Sequence, residues 1–147
     1  MALTIRQQII NAIKTRLQLI LLANGYRTNA GALVFVDRKT PQGKDDLPCL
    51  LVFDGTADAS DNVINGRTDY ALNISIEAAV LGDTLAADQR EIVADVLQAI
   101  GVDDTFGGLA YRTTLLTVDT NVEYHNAHLS GAEISIGIDY RCPRWEI

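Results

Sequence analysis

The feature that most limits what this chain can become is strict alternation of apolar and polar side chains over three long stretches. At 70–80, Tyr70, Leu72, Ile74, Ile76, Ala78 and Val80 interleave with Ala71, Asn73, Ser75, Glu77 and Ala79. At 110–124, Leu116, Val118, Val122 and Tyr124 face one way, and Thr113, Thr117, Asp119, Asn121 and Glu123 mainly the other. At 132–142, Ile134, Ile136, Ile138 and Tyr140 alternate with Glu133, Ser135, Asp139 and Arg141. Successive side chains of a strand point to opposite faces, so a period of two describes an antiparallel sheet with one dry and one wet face. The dry face needs a second layer. The connection 125–131 is short enough to join the last two strands as a hairpin.

Two segments of helical period supply that layer. Over 3–23, Ile5, Ile9, Ile13, Leu17, Ile20 and Leu21 recur at spacings of three and four, and Asn24-Gly25 is a left-handed stop. Arg6 and Arg16 flank the stripe, with stems over the core and heads in water. Over 85–100, Val93, Val96, Leu97 and Ile100 form a stripe, with Asp88, Glu91 and Asp95 outward, Asp83 or Thr84 as N-cap and Gly101 as the stop. Leu33, Val34, Phe35 and Val36 read as a short strand, and 37–46 as a charged loop. Cys49 to Phe53 is apolar on both alternating sides, as a strand covered on both faces would be. The segment 54–68 is rich in Gly, Asp, Asn and Ser and reads as a long polar connection, either mobile or used for binding.

The order helix, strand, strand, strand, helix, strand, strand defines an α+β fold. It is a two-layer sandwich of one mainly antiparallel sheet with two helices on one face, in a single domain spanning 1–147. The other face of the sheet is left without cover.

Composition bounds the function. Among 147 residues, 48% are hydrophobic and 21% charged, enough for a core and too apolar for a disordered chain. Twelve Lys and Arg against nineteen Asp and Glu give a net charge of −7, without the basic stripe that tight phosphate binding needs. The apolar run from Leu19 to Ala23 is far short of the roughly 20 residues that cross a bilayer. Asn11, Lys14, Arg16 and Gln18 interrupt any secretory signal, so a soluble intracellular protein with no membrane partner is expected. Cys49 and Cys142, with no CxxC spacing, read as buried free thiols, with a structural disulfide between them as the alternative.

Catalytic constellations are scarce. His125 and His128 would need two further ligands to hold zinc, and the neighbouring Glu123 and Asp119 lie on a strand, so a solvated turn is expected. Cys49 and Cys142 sit beside prolines with no adjacent base. Gly107-Gly108 lacks the Lys of a phosphate loop and reads as a flexible corner. No catalytic residue, metal or cofactor is assigned, and the chain is not read as an enzyme.

The wet face says more. Glu77, Asp119, Glu123, Glu133 and Asp139 share outward parity, offset in part by Arg141, while Arg112 has the opposite parity. This is either an ordinary solvated face or an electronegative surface, past which an anion moves without sticking or on which a basic partner docks. Phe106, Leu109, Tyr111 and Leu115 are hard to bury under two helices and read as assembly surface.

The layout resembles a known family. A long amphipathic first helix ending at Asn24-Gly25 leads to Pro48-Cys49-Leu50-Leu51-Val52. A polar excursion, the strand 70–80, a central helix and a long hairpin follow, and the tail Trp145-Glu146-Ile147 comes last. This order is similar to the tail-terminator (minor tail protein U-like) proteins of long-tailed bacteriophages, and more loosely to tail-completion and head–tail joining proteins. The resemblance implies a virion structural protein of the tail, assembled in the host cytoplasm. Its subunits would close into a hexameric ring that caps the tail tube, ends its polymerisation and joins tail to head. The implied partners are further copies of itself, the tail tube protein and head-completion or connector proteins. DNA would pass through an electronegative lumen without specific binding. The acidic face would line that lumen, 54–68 would touch the tube or a neighbour, and Trp145 and Ile147 would anchor to an adjacent subunit. The alternatives are a monomeric head–tail adaptor and a small metal- or ligand-binding domain with its site among His125, His128 and Glu123.

Overall fold

A computed structural model describes residues 2–37, 48–62, 65–81, 86–123 and 129–147, excepting the side chains at 62, 81, 86–88, 121–123 and 129–130. Its elements are α1 (Ile5–Leu17), β1 (Val34–Val36), β2 (Cys49–Asn62), β3 (Arg67–Leu81), α2 (Ala86–Gly101), β4 (Arg112–Glu123) and β5 (Leu129–Pro143). The five strands form one sheet in the order β1-β2-β3-β5-β4, with β1 parallel to β2 and every other pair antiparallel. With both helices packed on one face, this is the α+β sandwich that the alternation implies. Tyr124, the pair His125 and His128, the caps Asp83 and Thr84, and most of the loop 37–46 lie outside the described residues.

Register explains why the alternation is so strict. β3 and β5 pair without a break from Arg67↔Pro143 to Leu81↔Leu129, so parity fixes the face of each side chain, and every second residue is apolar over 70–80 and 132–142. Leu72, Ile74, Ile76, Ile134, Ile136 and Ile138 form the dry face, continued on β2 by Leu50 and Val52. Ile9, Ile13 and Leu17 of α1 and Ile92, Val96 and Ile100 of α2 close over it. Each fully buried Leu or Ile contributes roughly 1.5–3 kcal/mol. Tyr70 and Tyr140 stack in this layer, their ring centroids 5.1 Å apart. Cys49 and Cys142 are both free and buried, on opposite faces of the sheet.

α1 begins at Thr4, whose hydroxyl accepts from the Gln7 amide at 3.1 Å. It ends at Leu17 rather than near residue 23. Leu19 N–H and Ile20 N–H turn back to Arg16 and Leu17 carbonyls, and the Ile20 carbonyl is taken by Gly31 N–H at 2.9 Å. A Cβ on Gly31 would lie 2.2 Å from the Leu17 carbonyl oxygen, so only glycine admits this approach. Ile20 stays fully buried beyond the helix end, and Gly25, at φ +87°, does mark a left-handed stop.

Three polar assignments on the helices are corrected. Asp95 does not face solvent but is fully buried, accepting from Arg27 N–H at 3.1 Å and Thr28 Oγ1 at 2.7 Å. The 27–30 segment lies against that flank of α2, which helical period alone does not reveal. Nor do the Arg6 and Arg16 heads simply sit in water: Arg6 donates to Asp54 and the Gly55 carbonyl at 2.7 and 2.8 Å, and Arg16 is held more deeply. It donates to the Ala99 and Asp103 carbonyls at 3.1 and 3.0 Å and so caps the C-terminal end of α2 from the neighbouring helix.

The 54–68 segment is not a loop. β2 runs to Asn62 and β3 starts at Arg67, so most of it is a hairpin reaching beyond the helices. Its side chains from Asp58 to Asp61 are exposed, which permits polar residues while the backbone ladder still forms. Thr68, by contrast, is buried and donates to Asp61 at 2.7 Å. The second face of the sheet is also not wholly bare. At its β1–β2 end, Cys49, Leu51 and Ala79 are buried, with Leu33, Phe35 and Phe53 packed on them.

Candidate functional site

The wet face is organised in rows, because paired residues of adjacent strands share a side. One row runs Leu51–Glu77–Glu133–Asp119 across β2, β3, β5 and β4. Three carboxylates thus stand side by side, an arrangement that concentrates negative potential. Glu133 accepts from Ser75 Oγ at 3.1 Å and Ser135 Oγ at 3.3 Å. A second row runs Asp58–Ala71–Asp139–Arg112. Here Arg112 donates to Asp139 through Nε at 2.7 Å and lies 2.6 Å away through Nη2. In a third row Arg141 donates to Asp69, holding that carboxyl below its usual range, and lies 5.5 Å from the Tyr111 ring.

Sequence reasoning brings Glu77, Asp119, Glu133 and Asp139 to one face, and the structure puts them there. The side chain of Glu123 lies outside the described residues. Arg112 is corrected: it shares the face of Asp139 instead of opposing it. The cause is a bulge between Leu115 and Thr117, where one extra residue shifts parity. Thr113, Leu115 and Val118 therefore take the dry side, opposite Ile138, Ile136 and Ile134, while Leu116 crosses to the wet side and lies over Gly137. Two adjacent leucines in Thr114-Leu115-Leu116-Thr117 break the period, which was the readable signal.

That bulge builds an apolar feature on the acidic face. Leu116, Thr117, Phe53, Asn73, Ser75 and Ser135 line a shallow groove of about 330 Å³. Beside it β4 forms the end of the sheet, and the helices do not cover it. Leu115, Leu116 and Val118 are 50, 49 and 41% exposed.

The other apolar candidates divide. Phe106 is corrected: it is buried, with a left-handed backbone at φ +51°, and Arg16 stacks 5.4 Å from its ring. Leu109 packs partly against the core. Their turn is not a flexible corner. The Asp103 carboxylate accepts from Thr105 N–H, Thr105 Oγ1 and Gly107 N–H at 3.0, 2.6 and 2.9 Å. These bonds, the Thr105 hydroxyl foremost, pull the Asp103 carboxyl down to about 2. Tyr111, Leu115, Trp145 and Ile147 are exposed, Trp145 by 90% and with φ +67°. The two ends of the chain meet there, Ile5 N–H donating to the Ile147 carbonyl at 3.1 Å. Leu3, Ile5, Tyr70, Trp145 and Ile147 line a cleft of about 600 Å³.

Among the described residues no three His, Cys, Asp or Glu side chains are arranged to hold a metal ion, and no helix is long and apolar enough to cross a membrane. No protein-family model matches the chain, and no curated protein matches it.

Proposed function

We propose that this chain is the repeating subunit of a phage tail-terminator ring, which caps the tail tube, ends its growth and joins the tail to the head. The row Glu77–Glu133–Asp119 carries the reading, since it sets three carboxylates in register on the face away from the helices. In a ring that face turns toward the axis, and the copies sum their fields over a bore narrow enough that a screening length of about 8 Å does not erase them. DNA in such a bore is repelled from the wall and slides. The exposed leucines of β4 and the Trp145 terminus supply contacts between different patches of neighbouring copies, the geometry that closes into rings.

The purified chain is added to polymerising tail tube protein. Growth arrested by a ring of about six 16.0 kDa subunits at the tube end is the expected outcome. Tubes that lengthen as though the chain were absent refute the reading. Glu77→Lys combined with Glu133→Lys leaves the fold and the ring intact and slows DNA ejection; ejection at the parental rate removes the lumen role of these carboxylates.

A further inference from the structure

We infer that copies of this chain join edge to edge, with 112–117 of β4 in one copy pairing antiparallel with 53–58 of β2 in the next. The inference rests on the ring reading only for the number of copies. β4 ends the sheet, and its outer backbone edge carries no strand among the described residues. Thr113-Thr114-Leu115-Leu116-Thr117-Val118 carries neither charge nor proline, the commonest guards of an exposed edge, and its one irregularity is the bulge between Leu115 and Thr117. At the far end of the sheet β1 covers β2 only at Leu50, Leu51 and Val52. From Phe53 onward no described strand lies beyond β2. β2 has its own one-residue bulge between Asp54 and Ala57, where Arg6 of α1 donates to Asp54 and the Gly55 carbonyl at 2.7 and 2.8 Å.

Direction, register and charge fit these two edges together. β2, β3, β5 and β4 alternate in direction, so a neighbour's β2 beside β4 continues the antiparallel pattern. Asp58 and Arg112 are the opposite ends of one row, Asp58–Ala71–Asp139–Arg112. Repeating the sheet sideways without shear sets Arg112 of one copy against Asp58 of the next, on the same face. The following row, Ala57–Leu72–Ile138–Thr113, sets Thr113 beside Ala57 on the opposite face. Arg112 is 68% exposed despite its bond to Asp139 and has donors to spare for a second carboxylate, while Asp58 is exposed. The overlap also has a natural end. Val118 shares a row with Val52, where the neighbour's β1 already sits, and β4 becomes irregular between Asp119 and Val122. Each copy thus has one donor edge and one different acceptor edge, so the contact is heterologous and extends until it closes.

Sedimentation equilibrium on the full chain tests this by exchanging the charges. Arg112→Asp and Asp58→Arg each weaken self-association on the order of tenfold. The double variant, and an equimolar mixture of the two single variants, return to within about threefold of the parent. Thermal melting of each single variant checks folding, and Asp58→Arg, at an exposed hairpin position, is informative by itself should Arg112→Asp unfold. Three results overturn the pairing: a parent that stays a 16.0 kDa monomer at millimolar concentration, Asp58→Arg associating like the parent, or a double variant no tighter than the singles. The second is what a two-fold β4–β4 contact gives. If the charge exchange succeeds but the parent never caps tubes, the ring reading falls and the pairing stands. If tubes are capped and Asp58→Arg associates unchanged, the reverse holds.

Discussion

Replacing Gly31 by alanine puts the turn after α1 to a direct test. The added Cβ would lie 2.2 Å from the Leu17 carbonyl oxygen and 2.9 Å from both Ile20 N and Ile20 O, all backbone atoms that no rotamer change can move. Relief requires the 30–32 turn to lift from the helix end, which stretches the 2.9 Å bond between Gly31 N–H and the Ile20 carbonyl. Overpacking of this kind costs about 1–3 kcal/mol and the weakened hydrogen bond about 1 kcal/mol more. The loss of glycine's freedom in the unfolded chain gives back about 0.4–1 kcal/mol. The net loss of about 1–3 kcal/mol should lower the melting temperature by roughly 3–12 °C in a chain of this size. Far-UV circular dichroism during heating, with urea unfolding alongside, measures it. Gly101→Ala is the control, because nothing lies within 4 Å of a Cβ there and α2 ends at that residue. It should be neutral or stabilise by up to about 1 kcal/mol. A Gly31→Ala melt within about 2 °C of the parent would show that the end of α1 yields, and the steric account of the helix stop would fail.

Three further outcomes follow from the buried and charged groups. Asp103 has its folded-state value depressed from 3.8 to about 2, so its contribution is complete above the ordinary carboxylate range and disappears as pH falls through about 2. Melting followed from pH 5 to 2 should lose less in Asp103→Asn than in the parent, and identical acid limbs would contradict this. Tyr140 is fully buried, and its hydroxyl finds no hydrogen-bond partner among the described residues. Tyr140→Phe should therefore be neutral or stabilising by about 1 kcal/mol in urea unfolding, where a clear loss would reveal a hidden partner. Burial also pushes that phenol up to about 12, so the unfolded chain loses the proton first, and the parent's stability should fall between pH 10 and 12 while Tyr140→Phe loses less. Glu133→Gln should raise stability by about 0.5 kcal/mol, since it removes the middle charge of the acidic row and leaves an oxygen for Ser75 and Ser135.

How much was legible differs by element for physical reasons. β3 and β5 could be read residue by residue because an unbroken register forces each side chain to one face. β4 could not, because one inserted residue at Leu116 reversed the parity of Arg112, Thr113 and Leu115 relative to Val118. The hairpin formed by β2 and β3 reads as a loop because a polar sequence signals exposure, and 58–61 is exposed while still pairing with β3. Asp95 and Arg16 were misplaced because their partners are backbone groups distant in sequence, Arg27 N–H and the Ala99 carbonyl. The acidic face was readable from parity alone. Which carboxylates adjoin which required the register.

The distribution of charge within that face bears on why it exists. A surface shaped only for stability would set opposite charges across adjacent strands, and part of this one does. Asp139 faces Arg112 and Asp69 faces Arg141, each joined by hydrogen bonds. A few residues further along the same strands, Glu77, Glu133 and Asp119 meet with like charge in all three strands. Both arrangements occur on one scaffold, so the like-charge pattern of the acidic row is a property of the side chains rather than of the backbone. Each such opposition costs a few tenths of a kcal/mol to about 1 kcal/mol, a sizeable share of a marginal net stability. Under the ring reading proposed above, the acidic row would face the polyanion and the paired end would have a separate use. There the Arg112 guanidinium, anchored by Asp139, remains exposed at the sheet edge, available for the next copy while the acidic row stays clear of the junction.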